Sequence, residues 1–567
     1  LQSTFPALAA AFYFAGNTSI MNKTTRKRVV ISCLVLTAVI CLVVLFRQPY
    51  DGYPLHLAPE LSAGFGEIRP DHFHMGADLR TAGREGVRVY AIKSGFISRV
   101  SIRCTGYGKV LFITHADGTT SIYAHLSHFE KNIEKWAVDQ QYKTQCQEQD
   151  LSLSASLFPV KKGECIGYSG NTGTSGGPHL HFETRDTRTG KSYNPFLQEL
   201  RITDTIPPVI KSIYWYNRCN SLYEDTSHSI SQSVTKVQTP FIGLGLEASD
   251  QLTRGKFKTG IYKAMLYKNG VLQYQFSLPR IAAADTRYVN ACIDYARALD
   301  SGTIVQLLFT LPGNPLPYAQ LFPAGGTIDL SDRRLHQLKI VVSDLAGNQA
   351  EKSFNLQYDG TASCIPIHTK LLYPGHESEL HSSHATVRFS KNAFYDAVPF
   401  QLTEEKASQP DAASVIVKLH RATVPVHDSF TVSIQTSLPA HAPLRKRTVM
   451  VLSSPKGNTI VKGTWMGNNM KGRFNQLGNI QLLTDTLAPV ITVITTSSTQ
   501  IIIKCQDNLG NIASFKGEID DHWLAFERKG NVFTYTLDDH FPAGAHQLTL
   551  TVTDIAGNRT QGVHYLP

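Results

Sequence analysis

The sequence predicts a mainly β, multi-domain protein with one apolar N-terminal segment, and three observations carry that expectation. Residues 87–123 divide into short β-type runs separated by glycines, with no long amphipathic pattern between them. Beyond residue 200 a phrase built on Asp-Thr-x-x-Pro and Asp-x-Ala-Gly-Asn occurs twice. Near the start, a basic cluster precedes the uncharged run Val29–Phe46. At 567 residues the chain exceeds one hydrophobic core, and three or four domains are expected. A hydrophobic content of 42% with 10% aromatics excludes a disordered chain.

Taken in order, residues 1–28 read as an N-terminal tail ending in Lys23, Arg26, Lys27 and Arg28. Residues 29–46 span about 27 Å as a helix, just short of a ~30 Å hydrocarbon core. The exit, Phe46-Arg47-Gln48-Pro49, offers no Ala-x-Ala cleavage site, so an uncleaved transmembrane signal anchor is expected rather than a signal peptide. The basic flank places the bulk of the chain outside the cytoplasm, anchored to the inner membrane and facing the periplasm; secretion after cleavage is the alternative. Val30-Ile31-Ser32-Cys33 is no lipoprotein site, because the apolar run follows the cysteine instead of preceding it. Met21 reads as the natural start, with residues 1–20 an upstream extension. Lys+Arg exceeds Asp+Glu by 55 − 45 = 10, which favours anionic partners such as lipid headgroups or cell-wall polymer. No basic-aromatic platform or finger motif is present, so no nucleic-acid partner is expected. Seven cysteines lie beyond the apolar run without a Cys-x-x-Cys pair. Export permits disulfides, Cys146 with Cys165 among them, but buried free thiols are the preferred reading.

Residues 50–200 hold the chemistry. Tyr50–Pro70 is a Pro/Gly-punctuated approach to His74 and Asp78. Strands are expected at Val87–Ile92, Phe96–Ile102, Lys109–Thr114 and Thr120–Tyr123. His125 follows in Tyr-Ala-His-Leu, and His179 and His181 in Gly-Pro-His-Leu-His-Phe-Glu. Two imidazoles and a carboxylate give three zinc ligands with a fourth position open to water, and two histidines remain for proton transfer. A lone His-x-His means little, since 21 histidines in 567 residues give about one such pair by chance. The conjunction matters more. Residues 179 and 181 of a strand share a face, and Gly76 is expected to relax the backbone between His74 and Asp78. The insert at 127–159 shows helix-like spacing at Phe129, Ile133, Trp136 and Tyr142, and is expected to cap one wall of the cleft.

These stretches resemble the LytM/lysostaphin-type zinc endopeptidases, whose pattern is H-x-G-x-D, then Y-A-H-L, then G-x-T-G-x-S-x-G-x-H-L-H-F-E. The matching residues are His74 to Asp78, Tyr123 to Leu126 and Gly170 to Glu183. The resemblance covers about residues 60–197 and lacks no required position. It implies an antiparallel β domain of the duplicated hybrid motif type, with Zn2+ on His74, Asp78 and His181. His125 and His179 are then the catalytic non-ligand histidines. Tyr123 and Asn171 are candidate substrate-contacting residues, although Tyr123 reads equally well as a packed strand aromatic. The implied substrate is peptidoglycan, cut in its peptide cross-links, with a stem peptide ending in D-Ala preferred over a glycine bridge. The layout is similar to long envelope-anchored members from Bacteroidetes-type bacteria. The rival classes are a non-catalytic activator of another wall hydrolase and an exported general protease or adhesin. No His-Glu-x-x-His is present to supply a thermolysin-type base. His72 reads as a neighbour, His115 as structural and His128 as solvated.

The repeated phrase delimits the remainder. Asp204-Thr205 and Asp485-Thr486 open modules that Asp344-Leu345-Ala346-Gly347-Asn348 and Asp554-Ile555-Ala556-Gly557-Asn558 close. Residues 204–358 and 485–567 resemble immunoglobulin-like β-sandwiches, the first long enough to carry an insertion or a second unit. Residues 359–484 read as a further β-rich module, with strands at Ser414–Leu419 and Val449–Leu452. Such modules are expected to act as spacers or as surfaces for an envelope protein partner, since fold alone assigns no ligand.

Overall fold

The computed structural model describes residues 52–201, 203–252, 257–320, 322, 324–361, 364, 371–510 and 512–566. The expected anchor at 29–46 lies outside these residues. Among the described residues, no helix is long and apolar enough to cross a membrane.

The first domain is built on one twelve-stranded sheet. Eleven of its strands belong to this domain, β1 (Leu61–Ala63), β2 (Ala77–Arg80), β3 (Arg88–Tyr90), β4 (Gly95–Ile102), β5 (Lys109–His115), β6 (Thr119–Phe129), β7 (Gln149–Ser152), β8 (Pro159–Val160), β9 (Cys165–Ser169), β10 (His179–Asp186) and β11 (Ser192–Tyr193), and the twelfth, Arg280–Ile281, comes from the next module. The central order is β1-β2-β10-β6-β5-β4-β7. The expected runs form because glycines supply the turns between them. The core lies on one face of this sheet, where Leu79, Leu111, Ile113, Tyr123, Leu180 and Phe182 are all at or below 2% exposure. On β10, Leu180 and Phe182 point into that core, so His179, His181 and Glu183 point away from it.

Two expectations are corrected here. The insert holds a helix, α1 (Lys131–Thr144), capped by Glu130, followed by β7, which pairs with β4 at the opposite edge of the central order from β1 and β2. From there α1 carries Tyr142 into the C-terminal module, where its ring stacks on His540 at 3.5 Å between centroids. The insert is therefore a domain contact, not a cap over the metal-binding strands. Secondly, Cys219 and Cys364 form a disulfide across 145 residues of sequence, against the preference for free thiols; Cys104, Cys146, Cys165, Cys292 and Cys505 are free.

Residues 204–358 fold as one unit with an insertion, not two. A sheet centred on Val209–Asn217 and Phe241–Gln251 stacks on a five-stranded sheet centred on His336–Ser343, around a shared core. That core takes in Phe65, Phe73 and Met75 from the first domain, and β11 pairs with Arg280–Ile281. The first domain and this module are thus interlocked. Residues 371–484 form two five-stranded sheets and residues 490–566 two four-stranded ones, each pair enclosing its own core. The strand His546–Asp554 of the last module alternates between core and surface, with Leu548, Leu550 and Val552 all at 0% exposure.

Candidate metal centre

Antiparallel register builds the site. His181 of β10 lies opposite Asp78 of β2, and cross-strand partners project on the same face. His74 precedes β2 in an extended segment whose backbone N–H donates to Glu67 O (2.9 Å) and whose carbonyl accepts from Gly66 N (2.8 Å). Its neighbours Phe73 and Met75 turn the other way, into the core of the following module, which leaves the imidazole facing Asp78. Gly76 is needed for close approach, not for backbone freedom as expected. A Cβ there would stand 2.4 Å from Phe182 O and 3.0 Å from His181 Nε2.

The three donor atoms converge. His74 Nε2 and His181 Nδ1 are 3.0 Å apart, and they lie 3.0 and 2.9 Å from Asp78 Oδ1. Hydrogen bonds on the far side of each ring assign the tautomers. His74 Nδ1 donates to Gly64 O at 2.7 Å, and His181 Nε2 donates to Glu183 Oε1 at 2.9 Å. Both remaining ring nitrogens therefore aim lone pairs at a carboxylate oxygen. Such an assembly is satisfied only by a positive charge at its centre. Without the ion, a proton on His181 supplies that positive charge. Burial opposes charge on Asp78, yet His74, His179 and His181 hold its carboxyl well below the usual range. Burial pushes His74 down. It also opposes a charge on His181, but Asp78 and Glu183 outweigh it and lift that imidazole to about 9. Asp78 Oδ2 is taken by Arg69 Nη2 at 2.8 Å, which leaves Oδ1 for the cluster.

His125 and His179 stand beside the cluster with ring centroids 4.8 Å apart. His179 Nδ1 donates to Gly177 O (2.8 Å), and its Nε2 faces Asp78 Oδ1 at 3.5 Å. His125 sits at a register shift between β5 and β6, with φ of 59°, a conformation uncommon outside glycine that turns its side chain toward His181. Its Nδ1 donates to Thr172 O at 2.8 Å. Thr172 is held because Gly173 and Gly108, both at positive φ, meet backbone to backbone; a Cβ on Gly173 would lie 2.3 Å from Gly108 N. Burial, then His181 and His179, push His125 down to about 3.

The structure brings together His74, Asp78, His125, His179 and His181 but not Tyr123. Its ring is fully buried against Phe182, and its hydroxyl accepts from Ile92 N at 2.9 Å. It is a core residue and lines no groove. Asn171 lines instead a cavity of ≈ 940 Å3 against the C-terminal module, with its carbonyl bound by Lys529 Nζ at 2.8 Å. His115 is structural, bonded to Ser121 Oγ and Ser94 O, and His72 pairs with Asp71 at the surface. Glu183 was overlooked. It is 0% exposed, and besides His181 it accepts from Arg185 (2.8 Å), Ser192 Oγ (2.9 Å) and the Tyr107 hydroxyl. Burial opposes its charge, but His181 and Arg185 hold it down to about 2. It lies two residues past His181, so the same period that pairs His179 with His181 would have found it.

Residues 72–142 and 158–195 match the family model described as peptidase family M23. The chain carries a peptidase M23 domain of the LytM type. Zn2+ is the cofactor of the M23 domain, and its two imidazoles and carboxylate fit that metal. A second model, the Zu5-like domain, matches residues 369–485. An uncharacterized metalloprotease of Haemophilus influenzae is 31% identical over 157 residues, 26% of this chain and 27% of that protein. The DD-carboxypeptidase/endopeptidase Mpg of Neisseria meningitidis serogroup B is 36% identical over 122 residues, 22% of each chain. The chain thus spans about a quarter of the length of these curated relatives. Among solved structures, the lysostaphin catalytic domain of Staphylococcus simulans is 26% identical, with 24% of this chain and 86% of that one covered at a TM-score of 0.18. The catalytic domain of the prophage-encoded M23 protein EnpA from Enterococcus faecalis is 24% identical, covering 25% and 95% at 0.19.

Proposed function

We propose that the chain is a zinc-dependent endopeptidase that hydrolyses peptide cross-links of peptidoglycan in cell-wall remodelling. The observation that carries this reading is the convergence of three ligand atoms beside two further imidazoles, each anchored through Nδ1 with its Nε2 left for proton transfer. His74, Asp78 and His181 would hold zinc, which would supply a bound water of lowered pKa, toward ~7, and a Lewis acid for the scissile carbonyl. One of His125 and His179, each anchored through Nδ1–H to a backbone carbonyl, takes up the water's proton at Nε2 and returns it to the departing amine. Glu183 fixes the tautomer of His181, and Arg69 occupies the second oxygen of Asp78. The similarity to the Neisseria DD-carboxypeptidase/endopeptidase supports a peptidoglycan substrate. We also propose an envelope location, anchored through residues 29–46 with the domains facing the periplasm. The Cys219–Cys364 disulfide suits an oxidising compartment.

Incubating the chain with purified peptidoglycan, with and without a chelator, and identifying muropeptides by mass tests the reading. Chelator-sensitive cleavage of cross-links is expected. Asp78→Ala and His181→Ala should abolish it, whereas His125→Ala and His179→Ala should keep zinc but lose about 10²–10⁴-fold in turnover. Unaltered muropeptides, or cleavage of protein substrates alone, would overturn the assignment.

A further inference from the structure

We propose that the opening and closing signatures of the two repeated modules build a pair of equivalent calcium sites, Asp204–Asp250–Asp344 and Asp485–Asp507–Asp554. In each trio the carboxylate ligand atoms lie within 4.8 Å of one another.

The same wiring assembles both. The opening aspartate accepts from the backbone two residues on, Ile206 N to Asp204 Oδ1 and Leu487 N to Asp485 Oδ1, both at 3.1 Å. The closing aspartate accepts from the turn it begins, with Asn348 N at 2.9 Å from Asp344 Oδ1 and Asn558 N at 2.8 Å from Asp554 Oδ1. The asparagine amide that ends each turn reaches back to the carbonyl of the opening residue, Asp204 at 3.3 Å and Asp485 at 3.0 Å. These bonds explain how three carboxylates from distant points meet. They leave an oxygen of Asp250, of Asp485 and of Asp507 without a partner.

Asp250 is 5% exposed and its Oδ1 has no hydrogen-bond partner. Asp485, at 2% exposure, has an unpartnered Oδ2, and Asp507 Oδ1 is buried without a partner as well. A buried carboxylate oxygen left without a donor is costly, and carboxylates packed together add repulsion to that cost. Burial, then Asp344 and Asp204, raise the Asp250 carboxyl; burial also raises Asp485 and Asp507, with Asp554 adding to both. A dication at the centre removes both penalties.

The donor set selects the ion. Three carboxylates with no nitrogen or sulfur suit a hard cation rather than zinc. Calcium accepts irregular oxygen cages at about 2.3–2.6 Å, so ligands across the ion can stand nearly 5 Å apart; magnesium demands a tighter octahedron. Each trio also sits where its module meets the preceding domain. The first borders a cavity of ≈ 100 Å3 lined from the peptidase side by Leu61, Gly64, Phe65 and Phe196. Gly64 is the residue whose carbonyl orients His74. Next to the second trio, Lys462 of the Zu5-like domain donates to Ala556 O at 2.9 Å. Bound calcium would fasten the first strand of each module to its last turn at both junctions.

The test titrates CaCl2 or MgCl2 into zinc-loaded, calcium-depleted full chain by calorimetry, with metal content and thermal unfolding followed in parallel. Two Ca2+ per chain are expected, with the melting temperature raised and zinc content unchanged. In Asp250→Asn/Asp507→Asn both calcium equivalents should be lost. Without calcium this variant should melt above the wild type, because a neutral amide relieves the repulsion, and with calcium below it; a purely structural role for the carboxylates predicts lower melting in both conditions. No uptake by the wild type at millimolar calcium, uptake unchanged in the variant, or equal uptake of magnesium would overturn the proposal. The wild-type stoichiometry needs no variant to fold.

Discussion

Replacing Glu183 by glutamine tests whether the metal centre depends on a tautomer set from behind. Glu183 Oε1 faces His181 Nε2 and its Oε2 faces Arg185 and Ser192, so it presents acceptors to every neighbour. Glutamine has one acceptor and one donor in the same space. Arg185 has only donors, so the amide oxygen must turn to it, and the amide NH2 then meets His181 Nε2. The imidazole answers by moving its proton to Nδ1, the atom that faces Asp78 and His74, where it blocks the lone pair that ligates. Losing a carboxylate behind a ligating histidine costs about 10–100-fold in metal affinity, equivalent to about 1.4–2.7 kcal/mol. Competition against a chromophoric zinc chelator measures this directly. An unchanged zinc dissociation constant in folded Glu183→Gln would refute the tautomer argument.

Two other perturbations probe the frame around the site. Phe73→Ala empties a fully buried position shared with the following module, which costs about 3–5 kcal/mol, and it frees the segment carrying His74. Both the unfolding midpoint and zinc affinity should fall; a loss of stability with affinity intact would show that the module does not position the ligand. His420, in the module at 371–484, is pushed down to about 4 by burial and then by Arg421, so it stays neutral when folded and protonates near 6.5 when unfolded. Its contribution is complete above the unfolded value and is lost as pH falls from about 6.5 toward 4. The full shift would be about 3 kcal/mol, and partial solvent access reduces this to about 1–2 kcal/mol. Chemical denaturation at pH 7 and 4.5 should show the wild type losing that much more stability than His420→Gln; equal losses would contradict it.

What was legible in the chain followed from local rules. The strands of the first domain were bounded by glycine turns, and α1 was visible in the spacing of Ile133, Trp136 and Tyr142. The ligand set could be read because period-two pairing on β10 and the residues around Gly76 carry distinct chemistry. Tyr123 was ambiguous because β6 is buried on both faces from Thr120 to Leu126, so alternation no longer separates core from cleft. The positive φ of His125 arises from a register shift between strands, which no single strand encodes. The Cys219–Cys364 bridge joins residues 145 apart, beyond any spacing rule.

The largest thing hidden from sequence was that the modules are not passive spacers. The peptidase domain is closed on one side by the core that receives Phe73 and Met75, and on another by the C-terminal module. There Lys109, 7% exposed, sits between Glu134 at 3.1 Å and Glu527 of the last module at 2.6 Å. Its neighbour in register across β5 and β6 is Leu126, the residue after His125, and its backbone N–H donates to Thr172 Oγ1. Thr172 in turn holds the His125 ring. Lys109, whose ammonium is buried at a domain contact, is thus linked through its backbone N–H and Thr172 to the His125 imidazole. Separating the C-terminal module would strand the Lys109 ammonium with one partner and expose the loop that orients His125. The domains therefore support the metal centre from outside, while its three candidate ligands and both neighbouring histidines come from residues 74–181.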